Sequence, residues 1–74
     1  METLSNVQIA TELVKNEINV NGCITRKKAI SIYMKKMEIK ELNGSVVSTI
    51  DKVIRDLKKA EIIKTKEKGL YIKI

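Results

Sequence analysis

Several residue types on which binding sites and enzymes depend are missing from this 74-residue chain: it has no histidine, tryptophan, phenylalanine or proline, and its one cysteine is Cys23. A single cysteine excludes a disulfide within the chain, and a zinc site built from thiolates and imidazoles of one chain is excluded as well. Because there is no glycine-rich phosphate loop and no nucleophile beside a base, we predict no catalytic residue, no metal site and no cofactor. Cys23 is expected to be a small buried apolar residue.

Long apolar runs are also missing. No stretch reaches the length of a membrane span, and the N-terminus lacks the charged and apolar regions of a signal peptide. We therefore expect a cytoplasmic protein without a membrane partner. The length allows one small domain over residues 1–74, with a core of aliphatic side chains. Because so small a core stabilises the fold only modestly, a homodimer is expected.

Positive charge is abundant and unevenly distributed. The formal net charge is +6 and the sequence pI is about 9.6. Residues 1–24 carry a net charge of −2, whereas residues 25–74 carry +8. This asymmetry favours an anionic partner, although a lysine-rich surface that only keeps the protein soluble is the plainer alternative. Nucleic acid is favoured over an anionic membrane surface, because no free helix places bulky apolar anchors opposite its basic residues.

The N-terminal half predicts two helices joined by a turn. The first covers residues 5–19 after a lead-in from Met1 to Leu4, with Ser5 and Gln8 forming a capping box. Asn21 and Gly22 signal a turn before a very short strand at residues 23–24. The second helix covers residues 25–37 with Thr25 as its cap. It is apolar over more than half of its circumference, which indicates burial at the centre or sharing with a partner chain. Its predicted interior positions are Ala29, Ile30, Ile32, Tyr33, Met34 and Met37.

The stretch from Ser45 to Ile74 predicts a third helix over residues 45–60, capped by Asn43 or Ser45, and a hairpin over residues 62–74. Ile39 and Leu42 are inward anchors in the preceding connector. The apolar stripe of the helix consists of Val46, Val47, Ile50, Val53, Ile54, Leu57 and Ala60. Its opposite face carries Ser48, Lys52, Arg55 and Lys59. At i,i+4 spacing, Asp51 can pair with Arg55 and Lys52 with Asp56.

Alternation in the hairpin predicts which side chains cover the helices. The inward set is Ile63, Thr65, Leu70, Ile72 and Ile74, and the outward set is Lys64, Lys66, Lys68, Tyr71 and Lys73. Gly69 supplies the positive φ that a short hairpin loop with a bulge requires.

The first turn of the second helix is unusual. Arg26, Lys27 and Lys28 lie where the helix dipole is positive, so each costs about 0.3–1 kcal/mol of stability. Unpaired amides together with basic side chains are well suited to holding a phosphate, which makes these three residues candidates for binding. The alternative is that they only point into water.

Helix, short strand, helix, helix and terminal hairpin is the element order of the winged helix-turn-helix family, which this chain resembles over residues 5–74. The run TIDKVIRDLKKAEII from Thr49 carries the resemblance at residue level. It implies an α+β, mainly α fold of three helices and a C-terminal β-hairpin wing. The third helix would be a recognition helix in the major groove, and the wing would reach phosphates or a minor groove. Two departures are Glu61, where the family usually has a glycine, and a longer connector before the third helix.

The resemblance and the charge pattern together predict a set of DNA-binding residues. They are Arg26, Lys27, Lys28, Ser48, Thr49, Lys52, Arg55, Lys59, Lys66 and Lys68. The predicted function is double-stranded DNA binding by a transcriptional regulator or a replication or partition accessory factor, with no small-molecule effector. The alternative is a protein-interaction module, such as an antirepressor or inhibitor adaptor, using the same fold. RNA binding ranks third because only Tyr33 and Tyr71 can stack on unpaired bases.

Overall fold

Three helices and a three-stranded antiparallel sheet make up the computed structural model, which describes residues 5–74. The helices are α1 (Asn6–Asn21), α2 (Arg26–Lys36) and α3 (Gly44–Lys59). The strands are β1 (Cys23–Thr25), β2 (Ile63–Glu67) and β3 (Leu70–Lys73), in the order β1-β3-β2. The predicted α+β class, mainly helical with a C-terminal hairpin, is confirmed. The predicted lead-in from Met1 to Leu4 lies outside the described residues.

Side-chain caps begin all three helices. The Ser5 hydroxyl accepts from the Gln8 N–H at 3.2 Å, and the Gln8 side-chain oxygen accepts from the Ser5 N–H at 2.9 Å, so the predicted capping box is confirmed. Thr25 caps α2 at 3.0 Å. Of the two caps predicted for α3, Asn43 is correct, because its side chain accepts an amide at 3.0 Å whereas Ser45 lies inside the helix. These local bonds set where each helix starts.

Two glutamates end the second and third helices in the left-handed conformation. Glu38 has a φ of 56° and Glu61 a φ of 60°. The N–H of the residue after each glutamate donates to the carbonyl five positions back, at 2.9 Å in α2 and 3.0 Å in α3. This is the Schellman arrangement, which glycine normally closes at no steric cost. Glu61 therefore makes the turn into the hairpin itself, with the strain that a Cβ brings there.

The core lies where one face of each helix meets the inner face of the sheet. Its buried members are Ala10, Val14, Ile18, Ile24, Ala29, Tyr33, Val46, Ile50, Val53, Ile54, Leu57 and Ile63. Helix α3 contributes five of these twelve, more than any other element, as its apolar stripe predicts, although Val47 of that stripe is only half-buried. Ala60 is an exception: it closes α3 after the last turn and is exposed. Leu42 is also not the predicted anchor, because it lies in the connector with 59% of its surface exposed, whereas Ile39 packs against the core.

Helix α2 is less buried than its composition predicts. Only Ala29 and Tyr33 of its apolar residues are buried. Four others, Ile30, Ile32, Met34 and Met37, are half-buried and pack against the margin of the core. Burial at the centre of the domain is therefore wrong for α2, since one side of the helix stays accessible. None of the helices among residues 5–74 is both long and apolar enough to cross a membrane.

Strand β3 presents the opposite face to the helices from the one that alternation predicts, whereas Ile63 of β2 is buried as predicted. The register places Tyr71 opposite Ile24, which is buried, and Tyr71 packs against the core. Leu70 and Ile72 pair with the exposed Thr25 and Cys23 on the outer face. The prediction that Tyr71 points outward and Leu70 and Ile72 inward is therefore wrong.

Three further predictions for the sheet are corrected by the exposure of the side chains. Cys23 is exposed, because its neighbour Ile24 occupies the single inward position of β1. Ile74 is 62% exposed beyond the last strand. Thr65, opposite Tyr71, is also exposed, so of the predicted inward set only Ile63 is buried. The pairing partner, more than the alternation itself, decides which face turns inward.

Candidate nucleic-acid interface

The hairpin tip is attached to the start of α2. The Arg26 N–H donates to the Gly69 carbonyl at 2.9 Å, which extends the pairing of β1 with β3 by one residue. Gly69 has a φ of 79°, and the β2–β3 register shifts between Thr65 and Glu67, so the positive φ and the irregularity predicted for this loop are confirmed. Because β1 runs directly into α2, the basic first turn of that helix lies beside the lysine of the hairpin tip.

An ion pair links the same turn to α3. Arg26 donates from Nε to Asp51 Oδ1 at 3.0 Å and from Nη2 to Oδ2 at 3.2 Å. The hydrogen bond and the charge of Asp51 raise the pKa of Arg26 above its usual value. The predicted pairing of Asp51 with Arg55 is wrong, because the Asp51 carboxylate bonds across to α2. The predicted pair of Lys52 with Asp56 is present at 3.7 Å.

Two adjoining grooves share Tyr71, and together they form what we call the Tyr71 surface. The first groove is lined by Thr25, Arg26, Lys27, Lys68, Gly69 and Tyr71. The second is lined by Asp51, Ile54, Arg55, Lys58, Lys59 and Tyr71. Six basic side chains from three elements thus meet around one aromatic ring, with Asp51 as the single acid among the lining residues. The Lys58 Nζ lies 6.0 Å from the centre of the Tyr71 ring, at the limit of a cation–π contact.

Five of the ten predicted binding residues lie on the Tyr71 surface: Arg26, Lys27, Arg55, Lys59 and Lys68. They come from α2, α3 and the hairpin, so the three elements predicted to contact DNA meet at one surface. Ser48 and Lys52 do not line the grooves, but they are exposed on α3 at helical spacing from Arg55 and Lys59, and so continue the same face.

The remaining three predicted residues are placed differently. Thr49 is half-buried, and its hydroxyl donates to the Ser45 carbonyl at 2.8 Å. Lys66 is exposed on β2 outside both grooves. Lys28 lines a separate groove between α1 and α2, together with Glu17. The basic first turn of α2 therefore divides, with Arg26 and Lys27 on the Tyr71 surface and Lys28 on another side.

Sequence reasoning missed two residues of this surface. Lys58 is not among the predicted binding residues, although it follows Arg55 by three residues and so lies near it on the helix surface. Tyr71 is predicted on the outward side of the hairpin, whereas it is half-buried and packs against the core. No local pattern distinguishes the two faces of β3, so only its pairing with Ile24 shows where Tyr71 lies.

Comparison with known proteins found no match among family models, curated proteins or solved structures. Within residues 5–74 there is no cluster of three or more metal-ligating side chains. What the surface offers is a concentration of positive charge beside an exposed helix face, which suits an extended polyanion.

Proposed function

We propose that this protein binds double-stranded DNA as a small winged-helix domain. One observation carries the proposal: α2, α3 and the hairpin tip bring six basic side chains together around Tyr71. Residues this far apart in sequence meet only because of the fold. A mainly basic patch of this kind releases counterions when it neutralises phosphates, and counterion release supplies most of the sequence-independent affinity for DNA.

The element order suggests how the domain docks. Helix α3 enters the major groove with its exposed face, which carries Ser48, Lys52, Arg55 and Lys59. The hairpin tip, with Lys68, and the start of α2, with Lys27, line one groove beside α3 and contact the phosphate backbone there. In this arrangement the backbone contacts orient α3 and base contacts come from its side chains.

Base readout depends chiefly on a single arginine. Arg26 already bonds Asp51, so Arg55 is the side chain best able to grip a guanine edge with two hydrogen bonds. Lysines act mainly on phosphates. We therefore propose limited direct readout, with DNA shape contributing to the choice of site. We propose that the protein acts as a dimeric transcriptional regulator or as a replication or partition accessory factor. Selection of bound duplexes from a random pool would reveal its target site.

Duplex binding measured by fluorescence anisotropy across a range of salt concentrations tests the proposal. We expect log K to fall with log salt with a slope steeper than about −3, because several phosphates are contacted together. Arg55→Ala and Lys59→Ala should each weaken binding by about three- to ten-fold.

Lys36→Ala is the matched control, because it removes the same charge from the groove between α1 and α2. At physiological salt it should change affinity by less than about two-fold, since Lys36 does not line the Tyr71 surface and exposed charges are screened by salt. Absence of duplex binding by the wild-type chain at low salt would refute the proposal.

A protein-interaction module is the second candidate, and one observation favours it. Leu70 and Ile72 lie on the outer face of the sheet beside the exposed Cys23, so apolar surface is left accessible there. If duplexes are not retained while Leu70→Ser abolishes association with a protein partner, this second function replaces the first.

A further inference from the structure

Asp51 is an acidic residue on a surface that is otherwise basic. It is the only acid among the residues that line the Tyr71 surface, and 43% of its side chain is exposed. A carboxylate near an approaching phosphate lowers affinity through repulsion. We therefore expect Asp51 to have a role that compensates for this repulsion, and its bonds to Arg26 indicate that role.

Asp51 occupies only part of the hydrogen-bonding capacity of Arg26. A guanidinium carries five N–H donors in a rigid fork, and Asp51 takes one from Nε and one from Nη2. Within residues 5–74, the side chain of Arg26 makes no other hydrogen bond, so three donors are left for another acceptor. The side chain is 44% exposed and lines the groove shared with Lys27, Lys68 and Tyr71.

We propose that Asp51 is a positioning residue that fixes the Arg26 fork so that its three remaining donors point to a DNA phosphate. The inference rests on the proposed function. An unrestrained arginine loses rotational freedom when it binds a phosphate, whereas Asp51 removes much of that freedom before DNA arrives. The carboxylate also offsets the unfavourable position of Arg26 at the positive end of α2, which explains how a basic first turn is tolerated there.

The proposal predicts an effect opposite in sign to that of net charge. Asp51→Asn makes the protein more positive by one unit, so charge alone predicts tighter DNA binding. Positioning predicts weaker binding, by about three- to ten-fold, because Arg26 loses its support. It also predicts a salt slope shallower by about one, as expected when one phosphate contact is lost.

Asp56→Asn is the matched control, since Asp56 is an exposed acid of the same helix that pairs with Lys52. It should leave affinity unchanged or raise it by up to about three-fold, because it adds one unit of positive charge and releases Lys52 without affecting Arg26. Both variants are then measured in an Arg26→Ala background. There Asp51→Asn should no longer weaken binding, since it acts only through Arg26.

The outcomes distinguish a failure of the inference about Asp51 from a failure of the proposed DNA binding. If wild-type protein binds duplexes and Asp51→Asn tightens binding as much as Asp56→Asn does, the inference is refuted while the proposed function stands. If wild-type protein binds no duplex, both are refuted. Circular dichroism melts confirm that each variant is folded, and if Asp51→Asn is not, Asp51→Glu serves instead. That variant keeps the charge but moves the carboxylate by one methylene, so unchanged affinity and slope would overturn the inference.

Discussion

Helix α3 and strand β3 are both rich in aliphatic residues, yet they use them differently. In α3 five apolar side chains are buried on one face and the charged residues are exposed on the other. In β3 the alternation leaves Tyr71 against the core and Leu70 and Ile72 on the accessible face. Helix α3 is therefore positioned by its own amphipathic pattern, whereas the central strand β3 is positioned by its pairing with β1 and β2 and by the bond from Arg26 to Gly69.

The largest expected effect tests that comparison directly. Ile50→Ala in α3 should lower the free energy of unfolding by about 3–4 kcal/mol, because Ile50 is fully buried and its loss leaves a cavity. Ile72→Ala in β3 removes the same atoms from the outer face and should cost less than about 1.5 kcal/mol. Urea denaturation measures both variants.

Comparable losses for the two variants would mean that the outer face of the sheet is covered, and the contrast between α3 and β3 would then fail. If Ile50→Ala does not fold, Ile50→Val replaces it with an expected loss of about 1 kcal/mol. Ile72→Val is then the matching change in β3 and should be nearly neutral.

The junction between α3 and the hairpin sharpens the comparison further. Glu61 has a φ of 60°, so Glu61→Gly should raise the free energy of unfolding by about 1 kcal/mol through relief of left-handed strain. Glu38→Gly, at the end of α2, should give a similar gain. Thermal melting detects both as a higher Tm.

Glu61→Ala provides the control, since alanine keeps the Cβ and removes only the carboxylate. It should raise the free energy of unfolding much less than Glu61→Gly does. Equal stabilisation by alanine and glycine would show that the carboxylate, and not the backbone conformation, costs the stability.

The smallest expected effect concerns the contact between the two compared elements. Lys58→Ala should cost about 0.5 kcal/mol, because its ammonium lies over the Tyr71 ring in an exposed setting. A double-mutant cycle with Tyr71→Leu isolates this contribution in urea denaturation. A coupling energy of zero would mean that the ring and the ammonium are close but do not stabilise the hairpin on α3.

Prediction from sequence worked best where the determining contacts are local. The caps at Ser5, Thr25 and Asn43 depend on bonds to an amide three residues away, so they can be recognised from neighbouring residue types. It worked only partly for the candidate site. Arg55 and Lys59 follow from the helical period, but Asp51 was assigned to a neighbour on its own helix, because nothing local shows that Arg26 lies within reach.

Composition and local spacing therefore determine the three helices, the caps of the first two, the apolar stripe of α3 and the excess of positive charge after residue 24, since each depends on residues within one or two helical turns or on residue counts. Only the tertiary structure decided which face of β3 turns inward, that Cys23 is exposed, and that Arg26 meets Asp51 across 25 positions. The physical reason is that alternation defines two faces of a strand without ranking them. Pairing with Ile24 and the bond to Gly69 make that choice, and the same contacts assemble the Tyr71 surface.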